Sequence, residues 1–204
     1  MMVRIVTMTA VALAVASTAA RAADPRYPDW PCTQAKVPDI SLAAVWAGPA
    51  LDDVQNKWKD DEKVSALVSK LSARKTPLDE AEKSVKEFLT GSASDKTTNA
   101  KLLFAGLFDT LNAQRSQVMN GLERVSRKQR EAADKIRDET IQLQSLQSAT
   151  PRDETKVDAL SNQLVWETRI FEDRRNVVRF VCEVPTAIDQ RLFALGRLIQ
   201  QEME

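Results

Sequence analysis

The stretch LQSLQSATPRDETKVDAL, Leu143 to Leu160, carries the single proline between Asp95 and Val184, and a long run of helical period lies on each side of it. Thr150, with Asp153 three residues on, predicts a helix N-cap with Pro151 as the first helical residue. Upstream, alternate steps of three and four pick out Phe104, Phe108, Leu111, Arg115, Val118, Leu122, Val125, Gln129, Ala132, Ile136, Glu139, Leu143 and Leu146. Downstream they pick out Val157, Leu160, Leu164, Glu167, Phe171, Arg174, Val178 and Val181. Mostly apolar positions at this spacing over several heptads are a coiled-coil seam. A connection of about three residues between two long helices forces them to lie antiparallel. Folding the chain about residue 149 sets Leu122 opposite about Val177 and Val118 opposite about Cys182.

Away from the turn, the two helices change character. Residues 123–176 are heavily charged, with Glu123, Arg127, Glu131 and Lys135 at successive i, i+4 steps that favour an exposed helix. Nearer the ends, KLLFAGLFDTLN and AIDQRLFALGRLI are apolar round more of the circumference and need cover on several faces. Two amphipathic helices can supply it, at about 60–74 (Val64, Leu67, Val68, Leu71) and 77–90 (Ala81, Val85, Phe88, Leu89). Thr76 reads as the N-cap of the second and Gly91 as its C′ glycine. The predicted fold is all-α: a helical body of residues 60–122 and 177–204, and a coiled-coil hairpin stalk of residues 123–176, roughly 40 Å long at 1.5 Å per residue. A fully packed elongated bundle is the alternative. Pro185 lacks an amide donor and breaks the second helix where stalk meets body.

Residues 1–22 have the layout of a cleavable signal peptide: Arg4, an apolar run from Ile5 to Ala16, then Ala20-Arg21-Ala22. The run is too short for a span of about 20 residues, so a periplasmic or secreted protein with no stable membrane span after cleavage is expected. Residues 23–59 form an irregular N-terminal segment with five of the eight prolines and one short helix at about 39–46. Cys32 and Cys182 are the only cysteines, and in an oxidising compartment they are predicted to pair. A bridge across so long a loop stabilises by up to roughly 5 kcal/mol.

The chain has 29 basic and 29 acidic residues; without Arg4 and Arg21 the basic count falls to 27, a net charge of −2. That balance gives no broad attraction to nucleic acid. There is no His, no Gly-rich phosphate loop, no haem attachment motif and no serine elbow. No enzyme, metal or cofactor is therefore expected. Trp166, Ile170 and Val177 lie off the main seam and form an extra apolar strip suited to a partner helix. Trp30, in YPDWPC, reads as an anchor for the N-terminal segment or a partner contact. Arg115, Glu139, Glu167 and Arg174 occupy seam positions, where polar groups fix register or snorkel out. Arg115 comes level with Glu183, predicting an ion pair, and Gly106 comes level with Gly196, predicting close helix approach. The expected function is that of an exported, non-catalytic interaction or scaffold protein of the bacterial cell envelope, with a protein partner or homo-oligomer formed by helix packing. A holdase-type chaperone and a small-molecule-binding bundle are the alternatives.

Overall fold

The computed structural model describes residues 24–91 and 95–204; the predicted signal peptide lies outside them. The fold is all-α, with no strand among the described residues: α1 Leu42–Val45, a 3-10 turn Lys57–Lys59, α2 Glu62–Ser72, α3 Leu78–Thr90, α4 Lys96–Ser148, α5 Glu154–Val181 and α6 Val184–Met203. The 53 residues of α4 run through both body and hairpin, roughly 80 Å at 1.5 Å per residue.

The body forms as its apolar pattern demands. Val64, Val68 and Leu71 of α2, Val85 and Leu89 of α3, Leu103, Phe104, Leu107 and Leu111 of α4, and Leu192, Leu195 and Ile199 of α6 form one buried core. Trp46 closes it, its ring stacked on Phe104 with centroids 4.3 Å apart and its indole N–H donating to the Pro49 carbonyl. This explains why α1 is shorter than expected: the backbone turns extended at Trp46 to drive that ring inward. Gly106 and Gly196 do permit close approach, though not to each other. A Cβ on Gly106 would meet Val68 at 2.6 Å, and one on Gly196 would meet the Val45 carbonyl at 2.4 Å.

Several helix ends differ from expectation in the residue that caps them. Thr76 does not cap α3; its hydroxyl donates to the Lys70 carbonyl at 2.8 Å and so satisfies the C-terminal end of α2. Gly91 ends α3 in the right-handed region, φ −69°, its N–H reaching the Glu87 carbonyl, so no left-handed glycine is needed. At the hairpin turn Asp153, not Thr150, caps α5 by accepting from the Lys156 amide, and the helix begins at Glu154 rather than Pro151. The connection is therefore residues 149–153, and the Thr150–Pro151 peptide within it is cis.

The hairpin is antiparallel, as the short connection requires. The Gln129 side-chain amide donates to the Phe171 carbonyl, Lys135 pairs with Glu167 at 2.5 Å, and Gln163 donates to Glu139 at 2.8 Å. These partners centre the fold at about residue 151, close to the expected 149. α5 stops at Val181 and α6 starts at Val184, with Pro185 in its first turn. Proline has no N–H to offer the Val181 carbonyl, so the ladder breaks there.

Candidate functional site

The N-terminal segment is a strap laid across the base of the hairpin. The Cys32–Cys182 disulfide fixes it at the α5–α6 break, with Cα atoms 5.6 Å apart. On one side of the bridge, the Gln34 side-chain amide donates to the Cys182 carbonyl. Lys36 reaches Glu123 at 2.5 Å and lies 4.7 Å from the Tyr27 ring centre. On the other side, the Asp29 carboxylate takes Arg127 at 2.6 Å and also Arg130. These two guanidiniums, Arg127 foremost, hold the Asp29 carboxyl below its ordinary value. Glu123, Arg127 and Arg130 share one face of α4, so the strap covers that face as far as Arg130. Half-buried Trp30 is built into the strap, its indole N–H donating to the Gln34 carbonyl at 2.7 Å.

Where the strap turns into the body it meets Arg115. This guanidinium, 2% exposed, donates to the carbonyls of Val37 at 2.6 Å and Pro38 at 3.0 Å. Its Nε lies 2.7 Å from Asp189, not Glu183 as the sequence suggested. The reason is the helix break: α6 restarts at Val184, and one turn into it Asp189 projects toward α4. Burial raises the Asp189 carboxyl above its ordinary value, and Arg115 draws it partly back. Glu139 and Glu167, two further polar seam residues, form a layer across the hairpin with Lys135. Glu167 foremost, with Glu139, raises the Lys135 ammonium above its ordinary value, and Lys135, with Gln163, holds the Glu167 carboxyl below its own. Arg174 lies exposed.

The outer face of α5 is the conspicuous surface. Trp166, Ile170 and Val177 are 62%, 44% and 59% exposed, on one stripe of the helix as their spacing predicts. Phe180, 78% exposed, extends that stripe one further turn. Phe180 lies outside the strip expected from the sequence, although its three-residue step from Val177 continues the pattern. The stripe runs 166, 170, 173, 177, 180, a second heptad seam interrupted only by Asp173.

Beside the stripe, α4 and α5 part enough to leave a groove of about 730 Å³. Val118, Leu122, Val125, Val177, Val178 and Val181 line it with Gly121, and Arg124, Lys128, Arg174 and Asp173 edge it. A smaller depression of about 240 Å³, lined by Ala132, Ile136, Ile170 and Phe171, adjoins it at Arg174. Gly121, Val125 and Lys128 lie on the side of α4 opposite the strap-bearing residues 123, 127 and 130, at 100° per residue.

Among the described residues no helix is long and apolar enough to cross a membrane, and no three Cys, Asp or Glu side chains converge on a metal-sized site. No protein-family model, curated protein or solved structure matches the chain.

Proposed function

We propose that this chain is an exported, non-catalytic interaction or scaffold protein of the bacterial cell envelope, and that the hairpin is its reading surface. The observation that carries this reading is the uncovered stripe of Trp166, Ile170, Val177 and Phe180 on α5. Large apolar side chains aligned at heptad spacing are the face of a coiled coil that lacks a strand, and contiguous exposed apolar surface on a soluble helix marks an interaction site. Export is supported by the signal-peptide layout of residues 1–22 and by a disulfide of 150-residue separation, which persists in an oxidising compartment. A holdase is less well supported, because the stripe is narrow and is bordered by charges of both signs, Arg169 and Asp173 among them.

The test is affinity capture from envelope extract with the oxidised mature chain, set against Trp166→Glu/Phe180→Glu. Both side chains are exposed, so the double variant should keep the wild-type melting temperature. A discrete partner retained by the wild type and lost by the variant supports the reading. An identical capture profile, or none from either protein, counts against it.

A further inference from the structure

The groove between α4 and α5 has a character different from that of the stripe, and four observations define what would fill it. First, its floor is apolar and its rim cationic: Arg124 and Lys128 on the α4 edge and Arg174 on the α5 edge face a single acid, Asp173. None of these three cations forms an ion pair among the described residues, whereas Arg127, Arg130 and Lys135 nearby are all paired. Second, Gly121 sits in mid-helix on the floor, and a Cβ there would meet only the Arg124 guanidinium, at 3.8 Å. Glycine costs about 1 kcal/mol against alanine inside a helix. Gly106 and Gly196 are explained by the neighbours that press on them; among the described residues nothing presses on Gly121. It leaves room for another backbone to approach closely.

Third, Gln129 at the groove edge is held down by its amide N–H donating to the Phe171 carbonyl, so it lines the groove without adding a charge. Fourth, the two depressions follow the helix axes from Val118 to Ile136, about 27 Å at 1.5 Å per residue. A valley of that length between two parallel ridges is the seat of a third helix. Cations stand on both rims, Lys128 level with Arg174 across the groove and Arg124 one turn along, and so match acidic residues on both edges of such a helix, while the apolar valley that runs on beyond them calls for an occupant longer than one charged headgroup.

We propose that this groove seats an amphipathic helix of a partner protein, about 18 residues long, with Asp or Glu along both edges of its apolar face, closing the hairpin into a three-helix coiled coil. The proposal rests on the interaction-module reading and specifies its partner's chemistry. Arg124 and Lys128 on one side and Arg174 on the other pair with the acidic edges, while the bare backbone at Gly121 takes a large apolar side chain of the incoming helix.

The test uses the full oxidised mature chain and two fluorescein-labelled helical peptides of about 18 residues. They share leucine at a and d positions; one has glutamate at e and g, the other lysine. Fluorescence anisotropy should give at least about tenfold tighter binding of the glutamate peptide at about 0.1 M salt, and the margin should shrink at about 1 M. Gly121→Leu, which fills open space and favours helix, should leave the melting temperature unchanged or higher and abolish binding. Arg124→Glu/Lys128→Glu should reverse the preference. Equal affinity for the two peptides, or undiminished binding by a folded Gly121→Leu, would overturn the proposal. So would oleate binding that Gly121→Leu abolishes while neither peptide binds, or a concentration-dependent dimer that Gly121→Leu dissolves. If the peptides fail while Trp166→Glu/Phe180→Glu still loses its captured partner, this inference falls and the interaction reading stands.

Discussion

Arg115 shows how one side chain ties three segments together. Its guanidinium is buried, and the planar fork lets its two terminal nitrogens donate to the two strap carbonyls while Nε forms an ion pair with the Asp189 carboxylate. Arg115→Met keeps the length and removes the charge, so Asp189 and both carbonyls lose their partner. We expect a loss of about 3 kcal/mol by urea unfolding at neutral pH, at the low end for a broken buried pair because Asp189 keeps some contact with solvent. Without the arginine, burial acts on the Asp189 carboxyl unopposed. Its folded pKa then lies further above the unfolded value, the proton favours the folded state, and the deficit should shrink as pH falls from 7 toward 4. Asp29 works with the opposite sign. Its folded pKa is depressed by Arg127 and Arg130, so the strap's attachment is complete above the ordinary Asp value of 3.8 and weakens as pH falls below it. Hydrogen-exchange protection across residues 24–38, relative to the intrinsic rate at each pH, should fall between about pH 4 and pH 3 in the wild type, and already be low at pH 6 in Asp29→Asn.

Glycines in the long helices separate packing from function at the level of α4 and α6. Gly196→Ala puts a methyl against the Val45 carbonyl, a backbone atom with nowhere to go, and should cost about 1–3 kcal/mol. Gly121→Ala meets only the flexible Arg124 guanidinium, at ordinary contact distance, and should instead stabilise by up to about 1 kcal/mol. Paired thermal melts of the two variants check this directly: a destabilised Gly121→Ala would mean that an unseen neighbour occupies the groove. The α5–α6 break is likewise an element whose ends depend on each other. Cys182 caps α5, carries the bridge, and gives its carbonyl to Gln34. Cys32→Ser/Cys182→Ser should lower stability by about 2–5 kcal/mol, chiefly by freeing the unfolded chain, and should make residues 24–38 the first site of proteolytic cleavage.

Taken as one object, the molecule is a body at one end of an 80 Å helix and a hairpin clad by the strap for only part of its length. A compact chain of this size has a radius of gyration near 16 Å; small-angle scattering should give a value well above that, with a maximum dimension of at least about 80 Å. A value near 16 Å would mean that the hairpin folds back on the body. This elongation is what leaves α5 uncovered. The body helices α2 and α3 are 11 and 13 residues long, enough to cover the apolar halves of α4 and α6 but not the hairpin, so the α5 stripe is left for another chain.

Period and punctuation alone carried much of this. The seams, Pro151 near the turn and Pro185 at the break declare two long antiparallel helices, because 3.6-residue spacing and the missing proline amide act locally. The Cys32–Cys182 pair followed from their being the only two thiols, and the stripe of Trp166, Ile170 and Val177 from spacing on one helix. Capping was less legible, since Thr76, Thr150 and Asp153 are all competent acceptors and which of them is used depends on the geometry of the neighbouring turn. Arg115 found Asp189 rather than Glu183 because the break at Cys182 and Glu183 rotates α6 relative to α5, a shift no linear register contains. The groove was invisible in sequence for the same reason. Its floor and its cationic rim come from two helices whose separation is set by packing across the seam, and the strap's choice of the opposite face of α4 is fixed only once Asp29, Lys36 and Cys32 all reach their partners together.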